Sequence, residues 1–86
     1  MKDTWIWFKE LVIEVRKWNS DLISEIGSNS VMLGITLYDK EIKDWIDLNP
    51  HSINLKTGKT TTKINGKYRE INIKWLLFHK KLEFPR

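Results

Sequence analysis

Residues 60–71 have the sequence TTTKINGKYREI, two β-prone runs separated by an Asn-Gly pair. Asn65-Gly66 is the strongest short signal for a two-residue hairpin turn, because both central residues of that turn need a positive φ. A two-residue loop also fixes the register of the strands. The opposing pairs are then Ile64 with Lys67, Lys63 with Tyr68, and Thr62 with Arg69. We therefore predict an antiparallel hairpin with strands over 60–64 and 67–71.

A long amphipathic helix is predicted ahead of the hairpin, from Asp3 or Thr4 to Ile26. At about 100° per residue, its apolar side chains fall within one arc of about 160°. They are Trp5, Trp7, Phe8, Leu11, Val12, Val15, Trp18, Leu22, Ile23 and Ile26. Gly27 ends the helix and Ser28-Asn29-Ser30 follows as a loop. The arc is too wide for a coiled-coil seam, so the helix must pack on a sheet, on other helices or on a partner.

The segment between helix and hairpin is less regular. Val31 to Tyr38 fits either a buried strand or a helix end with a turn at Gly34. Asp39 is a good N-cap residue, and Lys40 to Leu48 predicts a short helix that ends at Asn49-Pro50.

The C-terminal part returns to regular patterns. Apolar and polar residues alternate from Ser52 to Lys56, and Thr57-Gly58-Lys59 predicts a turn. After the hairpin, Asn72 is expected to cap a helix from Ile73 to about Leu82, and Pro85 ends the ordered chain.

These elements predict an α+β fold in which a long N-terminal helix packs on a small antiparallel sheet or hairpin. A short middle helix and a C-terminal helix complete it. At 86 residues the chain is expected to form one small domain. Residues 1–27 would be its scaffold helix, and residues 51–86 its basic hairpin and helix.

Charge is divided unevenly along the chain. Residues 1–50 carry six basic and nine acidic side chains, whereas residues 51–86 carry nine basic and two acidic ones. The net charge is therefore −3 in the first part, +7 in the second and +4 in total. Such a concentrated basic half indicates a polyanionic partner, and we expect nucleic acid, in the form of duplex DNA.

The cations of the hairpin and the last helix are the candidates for phosphate contacts. Such contacts add affinity and salt dependence but no sequence specificity. The alternative is a solvated hairpin whose lysines only discourage edge-to-edge pairing. The predicted nucleic-acid-binding residues are Lys56, Lys59, Lys63, Lys67, Arg69, Lys74, Lys80 and Lys81.

The residue pattern gives no support for catalysis, a metal or a cofactor. The chain has no cysteine, which excludes disulfides, thiolate zinc sites and a Cys nucleophile and favours a cytoplasmic location. The segment Lys56–Thr60 resembles the end of a P-loop, but Ile53 stands where the first glycine is needed. His51 and His79 lack metal-ligand spacing and are expected at or near the surface. No run of about 20 apolar residues is present to span a membrane.

The segment from Ile64 to Phe78, followed by Leu82 to Pro85, resembles the part of phage-type HNH homing endonucleases that precedes their catalytic motif. Lys74 takes the place of an Arg in that family, and Leu77 and Phe84 take the places of Trp residues. Ile73 replaces the His, and the Asp-His-Asn-Gly metal motif has no counterpart. The resemblance implies a DNA-gripping ββα unit without nuclease chemistry.

A second resemblance is to excisionase-type winged-helix proteins. It is carried by Leu33-Gly34-Ile35-Thr36, by Trp45-Ile46, and by Gly66 to Ile71 ahead of a helix. It implies a short helix–turn–helix, a basic wing and a closing helix. Both resemblances imply nucleic-acid binding and a phage or mobile-element source.

A protein-interaction module is the alternative function. A phage-type inhibitor or modulator of a host protein would set its basic face on an acidic partner. Trp7 and Trp18 lie at one margin of the apolar arc, and Ile6 and Ile13 lie on the opposite side of the helix. A small domain leaves some of this surface uncovered, for a host protein or for a homodimer.

Overall fold

A computed structural model describes residues 2–27 and 32–83 of the chain. Its helices are α1 (Lys2–Ile26) and α2 (Ile73–Phe78), and a single 3₁₀ turn covers Pro50–Ser52. Its strands are β1 (Ile35–Asp39), β2 (Asp44–Leu48), β3 (Lys59–Ile64), β4 (Lys67–Asn72) and β5 (Leu82–Glu83). One antiparallel sheet has the order β2-β1-β5, and β3 and β4 form a second. The fold is α+β, as predicted.

The long N-terminal helix is confirmed, and so is its end. Gly27 adopts a φ of +91° and its amide donates to the carbonyl of Ile23 over 2.9 Å, which is the αL type of helix end. The predicted Ser28-Asn29-Ser30 loop, Val31 and the chain end at Pro85 lie outside the described residues.

The hydrophobic core lies between one face of α1, the β1–β2 sheet and α2. Phe8 and Val12 of the helix are fully buried, as are Leu37 and Ile46 of the sheet and Ile73 of α2. This face is narrower than the predicted apolar arc. The apolar side chains that stay exposed on α1 are Ile6, Trp7, Ile13, Trp18, Ile23 and Ile26.

Two polar side chains of α1 fasten the loops around the core. The amide of Asn19, fully buried, exchanges hydrogen bonds of 3.0 and 2.7 Å with the carbonyl and amide of Leu33. Arg16, which lies outside the predicted apolar arc, donates to the carbonyls of Pro50 and Ile53 at 2.7 and 2.8 Å.

The predicted helix over Lys40–Leu48 is wrong, because this segment is a turn followed by β2. Asp39 Oδ1 accepts hydrogen bonds from the amides of Glu41 and Ile42, at 2.8 and 3.3 Å. The same hydrogen bonds occur at the N-cap of a helix and in an Asx turn, so the presence of Asp39 does not tell whether a helix or a turn follows. Burial decides, since Ile46 and Leu48 alternate inward opposite Leu37 and Ile35. The ambiguous segment before Asp39 is accordingly a strand from Ile35 onward, and residues 32–34 belong to no helix or strand.

The basic hairpin is confirmed in position and register. Asn65 and Gly66 have φ values of +52° and +81°, as a type I′ turn requires. All three predicted opposing pairs are present. The alternating apolar and polar residues from Ser52 to Lys56 form no strand. They belong to a loop that is closed by a hydrogen bond of 2.7 Å from the amide of Gly58 to the carbonyl of Asn54.

The C-terminal helix begins as predicted and ends earlier. The side chain of Asn72 caps it by accepting from the amide of Trp75 over 2.9 Å. The helix ends at Phe78 because Lys80 adopts a φ of +55°, and the amides of Lys80 and Lys81 return to the carbonyls of Leu77 and Leu76. This is a Schellman end. It turns Leu82 into β5, which pairs with β1.

Candidate nucleic-acid interface

The two faces of the hairpin carry different cations. Thr60 and Thr62 of β3 are buried and face the rest of the protein. Directly opposed residues of an antiparallel pair share a face, so Arg69 lies on the face of Thr62. Lys67 lies there too, opposite Ile64. Lys59 and Lys63 alternate with the buried threonines and therefore lie on the open face.

The loop that precedes β3 packs closely against the start of α2. The amide of Ile73 donates to the carbonyl of Gly58 over 2.8 Å. Gly58 has a φ of +83°, and a Cβ there would lie 2.6 Å from Cβ of Lys74 and 2.8 Å from its amide nitrogen. Only glycine fits this position. The approach places the loop that carries Lys56 beside Lys74.

A cleft of about 640 Å³ opens where this loop, α1 and α2 meet. We call it the lysine cleft. It is lined by three lysines, Lys9, Lys56 and Lys74, and by four apolar side chains, Trp5, Ile6, Leu55 and Phe78. None of these seven residues is acidic. The ammonium nitrogens of Lys9 and Lys74 lie 5.8 and 5.9 Å from the centroid of the Trp5 ring, within the range of cation–π attraction.

A second cleft, of about 370 Å³, adjoins the first and shares Lys74 and Phe78 with it. Asn72, Thr57 and Trp75 also line it. Asn72 is the register partner of Lys59, so the open face of the hairpin begins at this second cleft. We call the surface formed by the two clefts and the open face of the hairpin the basic face. Its cations are Lys9, Lys56, Lys59, Lys63 and Lys74. On the hairpin it also carries one acidic residue, Glu70, which opposes Thr61 between Lys59 and Lys63.

The other predicted site residues lie elsewhere. Lys67 and Arg69 lie on the opposite face of the hairpin, as described above. Lys80 and Lys81 follow the end of α2, where the Lys81 ammonium pairs with a carboxylate oxygen of Glu41 at 3.0 Å. Within the part of the chain that the structure describes, Lys81 is the only one of the eight in an ion pair. Its Nζ also lies 4.9 Å from the centroid of the Trp75 ring.

The sequence prediction missed the contribution of α1 to this surface. Lys9 belongs to the polar side of the helix by periodicity, and Trp5 to the core. Trp5 is indeed buried, with 8% of its surface exposed, yet the ammonium groups of Lys9 and Lys74 both lie near its ring. No local sequence signal links Lys9 to Lys74, because their common position at Trp5 depends on how α1 packs on α2.

The two histidines are both exposed, in agreement with the sequence. His51 Nε2 lies 3.3 Å from the side-chain amide nitrogen of Asn19. The ring of His79 stacks on Trp75 with centroids 3.9 Å apart. Among residues 2–27 and 32–83, no group of three or more His, Cys, Asp or Glu side chains is placed to hold a metal ion. No helix in these ranges is long and apolar enough to span a membrane.

Comparison with protein-family models, with curated proteins and with solved structures finds no match for this chain.

Proposed function

We propose that this is a small, non-catalytic nucleic-acid-binding protein that grips phosphates with its basic face. The observation that carries the proposal is the lysine cleft. Three lysines line one opening there, and within the described part of the chain none of the lining residues is acidic. Like charges this close repel one another unless an anion sits among them. A phosphodiester backbone supplies a regular series of such anions.

The hairpin extends the same surface. Lys59 and Lys63 lie on its open face, and the Lys63 ammonium lies 5.9 Å from the centroid of the Tyr68 ring, which is 76% exposed. Phosphate contacts with these side chains would add affinity along the strand of a bound nucleic acid. The two resemblances seen in the sequence imply nucleic-acid binding and a phage or mobile-element source, in line with this proposal.

The proposal is tested by titrating labelled oligonucleotides at salt concentrations from 50 to 200 mM. About five phosphate contacts predict a slope of log K against log salt of about −3.5 for a single strand and −4.5 for a duplex. Absence of binding at 50 mM salt would end the proposal.

A matched pair of variants locates the interface. Lys56→Gln with Lys74→Gln removes two charges from the lysine cleft, whereas Lys17→Gln with Lys43→Gln removes two exposed charges elsewhere. We expect the first pair to weaken binding and to reduce the salt slope by about 2, at about 1 per phosphate contact. Equal losses in both pairs would show that net charge alone, and not this surface, drives binding.

Protein binding is a second candidate function, favoured by the outward face of α1. Trp7, Ile13 and Trp18 are each about half exposed there and line a groove of about 580 Å³ together with Glu10, Glu14 and Lys17. Exposed apolar side chains rimmed by charges are typical of interaction sites. A second copy of the chain is the simplest partner, since antiparallel pairing of two such faces would bring Lys17 to Glu10 of the other copy.

This second candidate is tested by sedimentation velocity over a hundredfold range of protein concentration. A homodimer predicts a concentration-dependent shift that Trp18→Ser abolishes and that Trp45→Ser, an exposed tryptophan on β2, leaves unchanged. A monomer at every concentration would remove the homodimer from consideration.

A further inference from the structure

The lysine cleft has a feature that phosphate binding alone does not require, which is its exposed apolar lining. Phe78 is 59% exposed and Ile6 is 48% exposed, on either side of an opening that also holds three ammonium groups. Keeping such side chains in contact with water is unfavourable. A ligand that covers them must present a flat apolar surface as well as negative charge.

The ring of Trp5 has a positioning role in this cleft. It lies in the floor, nearly buried, and two ammonium groups, those of Lys9 and Lys74, lie near its ring at 5.8 and 5.9 Å from the centroid. Cation–π attraction at these distances favours positions of the two flexible side chains at the cleft walls. The other aromatic ring of the cleft is that of Phe78, which is 59% exposed and meets the ring of His79 edge-on.

The neighbouring cleft indicates a ligand longer than one nucleotide. It shares Lys74 and Phe78 with the lysine cleft and adds Trp75, which is 48% exposed although its ring stacks on His79 and lies near the Lys81 ammonium. From there the surface continues past Asn72 to Lys59 on the hairpin. Cations and exposed aromatic rings thus recur along one path, which is the arrangement by which proteins bind successive nucleotides of a single strand.

We propose that the lysine cleft holds an unstacked base of a single-stranded nucleic acid. The base lies against Phe78 and Ile6, and the flanking phosphates lie on Lys9, Lys56 and Lys74. Within a duplex both faces of each base are covered by its neighbours, so a duplex offers phosphates, sugars and base edges but no free base face to this cleft. The assignment rests on the nucleic-acid function proposed above and names the form of nucleic acid that the same site takes.

The test compares a labelled 12-mer of thymidylate with a duplex of equal length, by fluorescence anisotropy at 50 mM salt. Phe78→Ala removes the stacking ring, and Trp45→Ala removes a comparably exposed aromatic ring that lines neither cleft. We expect Phe78→Ala to lower single-strand affinity by about 5- to 150-fold, the range that corresponds to the loss of one base–aromatic stacking contact. Duplex affinity should change less than twofold, and Trp45→Ala should change neither affinity.

Competition by inorganic polyphosphate distinguishes the contribution of the base from that of the phosphate backbone, because polyphosphate carries the charges of a nucleic acid and no bases. It should compete with the thymidylate 12-mer less well at equal phosphate concentration, and Phe78→Ala should leave its binding unchanged. Equal competition, together with equal sensitivity to Phe78→Ala, would overturn the assignment. A uridylate 12-mer added in parallel distinguishes RNA from DNA as the source of the strand.

The two proposals fail in different ways. Absence of binding to both the single strand and the duplex refutes the nucleic-acid function itself. Equal binding to both, with single-strand affinity unaffected by Phe78→Ala, refutes only the cleft assignment. Should Phe78→Ala prove unfolded by circular dichroism, Ile6→Ala on the other wall is measured in its place. A loss of single-strand affinity of less than twofold in that variant counts against the assignment.

Discussion

The hydroxyl of Thr62 donates a hydrogen bond to the backbone carbonyl of Asp47 over 2.8 Å. This bond links β3 to β2, which belong to different sheets. Thr60 makes a longer bond of the same kind, 3.3 Å, to the carbonyl of Ser52. Threonine is therefore used at these positions for its hydroxyl as well as for its β propensity.

Thr62→Val should lower the free energy of unfolding by about 1 kcal/mol, because the change keeps the shape of the side chain and removes one buried hydrogen bond. Thr61→Val is the matched control, since Thr61 lies exposed on the other face of the same strand. Urea denaturation measures both. Equal stability of the two variants would show that the bond to Asp47 contributes nothing.

Arg16→Met should lower the free energy of unfolding by about 2–4 kcal/mol. The variant keeps the aliphatic stem but leaves the carbonyls of Pro50 and Ile53 without their charged donor. Lys17→Met, one position along at an exposed site, should change stability by less than about 0.5 kcal/mol. Thermal melting of the pair decides, and similar melting temperatures would contradict the role given to Arg16.

Lys80→Gly should raise stability by about 0.5–1 kcal/mol. Lys80 holds a φ of +55° at the end of α2, a conformation that costs a side-chain-bearing residue about 1–2 kcal/mol and that glycine adopts freely. Lys80→Gln removes the same charge and keeps the strained backbone, so it should show no gain. If both variants are equally stable in urea, the backbone conformation is not the cause.

The division of the hairpin into two faces predicts unequal effects on nucleic-acid binding. Lys59→Gln with Lys63→Gln removes both cations of the open face, and Lys67→Gln with Arg69→Gln removes two from the opposite face. The first pair should reduce the salt slope by about 2, at about 1 per lost contact, and the second should have little effect. Oligonucleotide titrations over a salt series measure the difference. A larger loss of affinity in the second pair would show that the interface lies on the face of Lys67 and Arg69, and would contradict the proposal.

The elements that could be predicted from the sequence are those set by local chemistry. Asn65-Gly66 specifies its turn because few residues adopt positive φ twice in succession. The Asn72 cap and the end at Gly27 follow from similar local preferences. The segment after Asp39 could not be predicted in this way, because its first hydrogen bonds fit a helix or a turn. Only the burial of Ile46 and Leu48 against β1 separates the two structures.

The positive charge of the candidate site could be predicted from the sequence, but the arrangement of its cations on the surface could not. The excess of cations after residue 50 is a property of composition, and seven of the eight proposed residues stay outside ion pairs within the described part of the chain. Which cations share a surface depends on strand alternation and on the packing of α1 against α2. The pairing of Lys81 with Glu41 joins residues 40 positions apart, a separation that no local pattern reports.

The position of β5 has a consequence for the order in which the protein folds. Asp39 pairs with Leu82. The central strand of this sheet, β1, therefore gains its second neighbour only when the C-terminal end of the polypeptide reaches it. The β1–β2 hairpin and the β3–β4 hairpin can form early because the strands of each are neighbours along the chain. The pairing of β5 with β1 has to close a long loop, at a cost in chain entropy. We therefore expect the closing of β5 to be the slow step of refolding, with the hairpins already formed before it.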